Sequence, residues 1–232
     1  MRRIGIIGGM SWESTAEYYR LINQVVKQKL GGLHSGNVLI YSYDFEEIEV
    51  LQRAGQWSEA ARSLIKTAKQ LQLAGADFII IASNTMHKLV PDIEREVDLP
   101  VLHIADATGQ AIASHGFKTV GLLGTRFTME GSFYKDRLLK NFDISVVVPP
   151  ASERQIVHDI IYTELCLGII KQESKAKFLQ IIDKLAAQGA QGVILGCTEI
   201  PLLVKSEDSV LPVFDTTAIH AAAAMELALL NN

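Results

Sequence analysis

Cysteine is scarce in this chain. Cys166 and Cys197 are the two in 232 residues, and no CxxC spacing occurs. A disulfide framework would be sparse at this length, so a reducing compartment is expected. The six histidines form no HxxxH or HxH pair, and no metal is expected. There is no dense Lys/Arg run, and the formal net charge of -4 gives no electrostatic case for nucleic acid. Long apolar runs are missing too. The stretch after Met1-Arg2-Arg3 is broken by Gly8, Gly9 and Glu13, which is too short for a signal peptide or membrane span. A cytoplasmic protein without a membrane partner is the expectation. The dinucleotide fingerprint G-x-G-x-x-G is absent: residues 4–10 read G-x-x-G-G with no P-loop lysine, the pattern of a tight strand-to-helix turn.

What is present is a duplication. Ile4-Gly5-Ile6-Ile7-Gly8 returns 116 residues later as Val120-Gly121-Leu122-Leu123-Gly124. The run from Gly75 to Thr85 returns 114 residues later as Gly189 to Glu199, and Pro100-Val101-Leu102-His103 returns as Pro212-Val213-Phe214-Asp215. The period is far too long for a solenoid, so each copy is read as a domain-sized unit. With 48% hydrophobic and 21% charged residues, both copies can build packed cores. The expected division is 1–105 plus 210–232 for the first domain and 106–209 for the second. No Pro/Gly/Ser-rich linker separates them.

Short β-branched runs at 3–7, 37–42, 78–81, 101–103, 119–122, 145–148, 192–195 and 213–214 alternate with amphipathic stretches at 17–29, 56–74, 155–168 and 175–188. This predicts an α/β protein of two pseudo-symmetric three-layer domains with mainly parallel sheets, covered on both faces. Ligands are then expected beyond the carboxyl ends of the strands, in a cleft between the domains. The segments there are Gly8-Gly9-Met10-Ser11-Trp12, Ser83-Asn84-Thr85, Gly124-Thr125-Arg126 and Gly196-Cys197-Thr198-Glu199. Their hydroxyls, amides and free N–H groups suit a small carboxylate. A strand-end cysteine is often only a small hydrophobe. The expectation of a reactive Cys197 comes from its predicted place at a helix N-terminus, which favours thiolate, and from its duplicate partner Ser83. Cys166, inside an apolar helical pattern, reads as packing. His87 and His103 fall near the same edge and read as satisfied structural histidines. Trp12 and Trp57 read as core or domain-contact material.

Gly8-Gly9-Met10-Ser11-Trp12-Glu13-Ser14-Thr15, Ser83-Asn84-Thr85-Met86-His87, Leu123-Gly124-Thr125 and Leu195-Gly196-Cys197-Thr198-Glu199-Ile200 together resemble the cofactor-independent aspartate/glutamate racemases, from Ile4 to about Ala221. The bacterial subgroup with a single catalytic cysteine is the nearest in pattern. The resemblance implies an acidic amino acid held between two α/β domains, with no pyridoxal phosphate and no metal, in a homodimer. In typical members two cysteines flank the α-carbon, one removing its proton and the other delivering one to the opposite face. Inverting a stereocentre needs such an opposed acid and base. Here Cys197 matches the family motif, whereas Ser83 stands at the other cysteine position. The resemblance thus implies that Cys197 is the base for L-aspartate or L-glutamate, with Ser83 or a water it holds opposite. It assigns Asn84, Thr85, Thr125 and Thr198 to the α-amino and α-carboxylate groups and Met10 and Gln52 to substrate contact; Arg53 is either a candidate for the distal carboxylate or an ordinary exposed helix arginine. Glu199 either orients Thr198 or accepts the ammonium group. Several aspartate racemases carry lysine where Cys166 stands, so the resemblance implies that one side-chain carboxylate clamp is missing here and that substrate length is read more loosely. Two other readings fit a lone cysteine: a decarboxylase or isomerase of a small dicarboxylate, and a non-catalytic acidic-amino-acid-binding protein.

Overall fold

The computed structural model describes residues 1–230 and divides into two compact units, Met1–Ile104 with the segment from His220 onward, and Ala105–Ile219. In the first unit the order is β1 (Ile4–Gly8), α1 (Trp12–Leu30), β2 (Val38–Ser42), α2 (Phe45–Arg53), α3 (Trp57–Leu73), β3 (Phe78–Ile81), a 3-10 helix (Thr85–Leu89) and α4 (Val90–Glu94). In the second it is α5 (Ile104–Ser114), β4 (Thr119–Gly124), α6 (Arg126–Glu130), α7 (Ser132–Phe142), β5 (Ser145–Val147), α8 (Ala151–Thr163), a 3-10 turn (Leu165–Leu167), α9 (Gln172–Ala187), β6 (Val193–Gly196), α10 (Ile200–Leu203), a 3-10 turn (Ser206–Asp208) and β7 (Val213–Asp215). Helix α11 (Thr216–Leu229) starts in the second unit and contributes its later turns to the first.

Every strand pairing is parallel. The sheet orders, β2-β1-β3 and β5-β4-β6-β7, display the duplication directly. In the first unit Val101 makes a single bridge to Ile79 where a strand at 101–103 was expected. In the second unit β7 is a true edge strand on β6. The same bond anchors both segments: Ile79 N–H donates to Pro100 O, and Val193 N–H to Pro212 O, each at 2.9 Å. The tail therefore departs from the expected boundary. Residues 213–215 belong to the second sheet, because Pro212-Val213 is the duplicate of Pro100-Val101, and the return to the first unit comes at His220.

Alternation along fully buried strands gives the first unit three layers. Ile4, Ile6, Phe78 and Ile80 point to one side, where Tyr18, Ile22 and Val26 of α1 pack with Ala221, Ala224, Met225 and Ala228 of α11. Ile7, Ile79 and Ile81 point to the other, against Leu64, Ala68 and Leu71 of α3. Each large aliphatic side chain so buried contributes about 1.5–3 kcal/mol over exposure. The spacing of Tyr18, Ile22 and Val26 keeps them on one stripe of α1, whose start is capped by Ser11 accepting from the Ser14 N–H. The paired glycines have a packing reason: a Cβ on Gly5 would lie 3.4 Å from Leu71 of α3, and one on Gly121 2.9 Å from Leu185 of α9. Each lets a helix approach an inner strand of its own sheet.

The expected helix at 155–168 starts earlier and stops at Thr163. Glu164 leaves helical geometry and its carboxylate accepts from Ser174 Oγ and Lys171 Nζ, so Cys166 sits in the following 3-10 turn.

Candidate active site

In the first unit the loop after β1 turns back on itself. Gly9 has φ +84°, and a Cβ there would stand 2.2 Å from the Tyr43 nitrogen, so glycine is required. Thr15 locks the turn by accepting the Gly9 N–H at 2.7 Å and donating to Ser11 O at 3.1 Å. Ser14 Oγ donates to Ala82 O at 3.3 Å, which ties this loop to the one that carries Ser83. Gln52, near the end of α2, donates its amide to Met86 Sδ at 3.0 Å. Met10, Gln52, Ser83, Asn84 and Thr85 are all buried. The structure therefore gathers the candidates of this unit around the carboxyl ends of β1 and β3, with one exception. Arg53 is exposed and pairs with Glu49 one turn earlier, the arrangement of an ordinary solvated helix arginine. Trp12 departs from its reading as well, being 66% exposed.

In the second unit the register pairs Gly124 with Gly196, which puts Thr125 and Cys197 at adjacent strand ends. Thr125 caps α6, its hydroxyl accepting the Thr128 N–H at 3.3 Å. Cys197 is 8% exposed, and its thiol donates to Glu199 Oε2 at 2.9 Å. Thr198 Oγ1 donates to that same oxygen at 2.8 Å. This is the contact that orienting Thr198, one of the two roles considered for Glu199, requires. A further contact, to the thiol, was not expected, although a carboxylate two residues beyond a cysteine at a tight strand end was the available signal. Thr216 also belongs here: its buried hydroxyl donates to Leu195 O at 2.8 Å, and nothing in the sequence pattern marked it.

The electrostatics overturn one expectation. Cys197 was to be ionised by a helix N-terminus, yet its thiol is pushed well above the usual thiol range. Burial is the largest cause, followed by the negative charge of Glu199, with the hydrogen bond to Glu199 acting in the same direction. Helix α10 is a four-residue helix beginning at Ile200, too short and too far along to offset these effects. Cys197 rests as a thiol. Cys166, read from sequence as packing, is partly exposed in a turn that packs on α10.

His87 donates from Nδ1 to Ser83 O at 2.7 Å. Among the described residues no group of three or more His, Cys, Asp or Glu could hold a metal ion, and no helix is long and apolar enough to cross a membrane.

The sequence profile described as Asp/Glu/Hydantoin racemase matches residues 7–224. The chain belongs to that family. Racemases are isomerases, and this chain is an enzyme of that class. A protein from Yersinia pestis, solved as a candidate Asp/Glu racemase, is 55% identical with a TM-score of 0.92, covering 99% of this chain and 100% of that one. An aspartate racemase homologue from Pyrococcus horikoshii is 38% identical with a TM-score of 0.84, covering 98% of this chain and 99% of its own. The broad specificity amino-acid racemase of Bacillus subtilis is 27% identical over 94% of both chains. The two solved relatives share the α/β fold with parallel sheets.

Proposed function

We propose that this member of the family racemises L-aspartate, L-glutamate or both by moving the α-proton with its own side chains, without pyridoxal phosphate. The observation that carries the reading is the Cys197–Glu199 contact. A buried thiol is a poor base as it rests, but its proton already points at a carboxylate 2.9 Å away. Glu199 takes that proton, and the resulting thiolate takes hydrogen from Cα of the L-substrate. Cys197 becomes a thiol again, and the substrate becomes a planar carbanion. Ser83, or a water it holds, then delivers a proton to the opposite face, and solvent restores both groups. Asn84, Thr85, Thr125 and Thr198 offer the neutral donors and acceptors suited to the α-carboxylate and ammonium ends.

A hydroxyl is far less acidic than a thiol, so Ser83 is a weak base for the D-substrate. The equilibrium between free enantiomers stays at one, so kcat/KM is equal in both directions; the weak base shows as a lower kcat for the D-enantiomer with a matching fall in its KM. The exposed Arg53 is replaced in our reading by the neutral set around Gln52 and Met10, which is consistent with loose reading of side-chain length. The enzyme is proposed to work in the cytoplasm as a homodimer, as the family resemblance suggests; light scattering checks the dimer.

Incubation of the protein with L-aspartate or L-glutamate in D2O tests the reaction. NMR and chiral chromatography should find α-deuterium in both recovered and inverted amino acid. Binding without any exchange would support a non-catalytic role and end the racemase reading.

A further inference from the structure

We propose that His87 is a positioning residue that sets the reprotonating face by holding Ser83 through its main-chain carbonyl; this rests on the racemase reading above. The local backbone explains why a side chain is needed. The segment after Ser83 begins as a 3-10 helix, in which the His87 main-chain N–H is given to Asn84 O at 3.2 Å. In an α-helical turn that N–H would have gone to residue 83. The His87 imidazole instead reaches back one turn, and Nδ1 meets Ser83 O at 2.7 Å. A carbonyl only accepts, so Nδ1 carries the proton.

The duplicate half solves the same turn differently. There Cys197 O accepts the main-chain N–H of Ile200 at 3.2 Å, and Pro201 stands where the repeat would place the counterpart of His87. The imidazole is therefore particular to the Ser83 side and is no relic of a shared core.

The ring is held firmly. His87 is fully buried, its centroid 4.7 Å from that of His103 and 5.5 Å from that of His220. His220 is fixed in turn: Nε2 meets Leu102 O at 2.9 Å and Nδ1 meets the Tyr18 hydroxyl at 2.8 Å. Leu102 O only accepts, so Nε2 is the protonated nitrogen and Nδ1 takes the tyrosine proton. Burial lowers the His220 pKa to about 4, which keeps this ring neutral at physiological pH. Three directional rings stand where aliphatic side chains would fill the space, and the end of the chain of contacts is Ser83.

The test separates two steps of one reaction. In D2O, Cys197 alone exchanges the α-hydrogen of the L-substrate with retention, whereas inversion also needs Ser83 in place. His87→Ala should lower the ratio of inversion to exchange by about 10²-fold, the scale of a 1 Å misplacement. His87→Asn, whose amide nitrogen stands near the Nδ1 position, should restore most of it, and His87→Gln should not. If His87→Ala fails to fold, the Asn and Gln variants, checked by circular dichroism, carry the comparison. Inversion and exchange falling in parallel, or Asn and Gln behaving alike, would overturn the positioning role. Absence of exchange in the wild type would instead overturn the underlying racemase reading.

Discussion

Replacing Glu199 by glutamine should speed one reaction of Cys197 and slow another. Glutamine keeps the shape of the side chain but removes its charge and most of its capacity to take a proton. In the native site one buried carboxylate oxygen receives both the thiol and the Thr198 hydroxyl, and its charge holds the thiol up. Without that charge the thiol pKa falls, although burial still keeps it raised. More thiolate is present at pH 8, and alkylation by iodoacetamide becomes faster. Racemisation moves the opposite way, because the acceptor for the thiol proton has gone. General-base assistance is worth about 10²–10⁴-fold, or about 3–5 kcal/mol in the barrier, and kcat should fall within that range. Alkylation followed by mass spectrometry at Cys197, beside L-aspartate turnover by chiral chromatography, reads both quantities on one preparation. Alkylation unchanged or slowed would refute the electrostatic argument. Racemisation within about threefold of wild type would remove Glu199 as proton acceptor.

Two further outcomes follow from the same geometry. Ser83→Cys places an ionisable thiol opposite Cys197, and the D-to-L kcat should rise by about 10²-fold, within the span of general-base catalysis; no gain with substrate binding intact would count against opposed faces. His220 bears on stability: its folded pKa of about 4 lies below the ordinary histidine value of 6.5, so the neutral ring favours the fold above pH 6.5 and that contribution is lost as pH falls toward 4. Between pH 7 and pH 5 the wild type should lose about 2 kcal/mol by urea unfolding from this group, and His220→Gln should lack that component; equal pH slopes would contradict a neutral buried His220.

Much of this was legible from residues. The repeat of Ile4–Gly8 at Val120–Gly124 located an inner strand of each sheet, because glycine at the second place permits a close helical approach in both copies. The continuous apolar run Phe78–Ile81 marked a strand buried on both faces, and its bounds agree with the structure. The short helices after strands were harder to read. α6 and α10 have five and four residues, less than the window over which a helical period shows. The edge strand at Val213 and the single bridge at Val101 share a sequence pattern, and only the sheet distinguishes them. In the site, Cys197 and Glu199 were visible as residue types, but the direction of the thiol's ionisation was not. It depends on burial and on a contact between side chains two positions apart, neither of which periodicity encodes. His87 was read as a structural histidine; its bond to Ser83 O arises from a 3-10 start that hydrophobic patterning does not reveal.

The most direct test concerns who removes the α-proton. Recovered L-aspartate should gain α-deuterium in D2O with the wild type and with Ser83→Ala, the latter giving little D-aspartate, whereas Cys197→Ala should leave the α-position protiated while still binding the amino acid by calorimetry. Deuterium entering L-aspartate at an undiminished rate with Cys197→Ala would contradict the account.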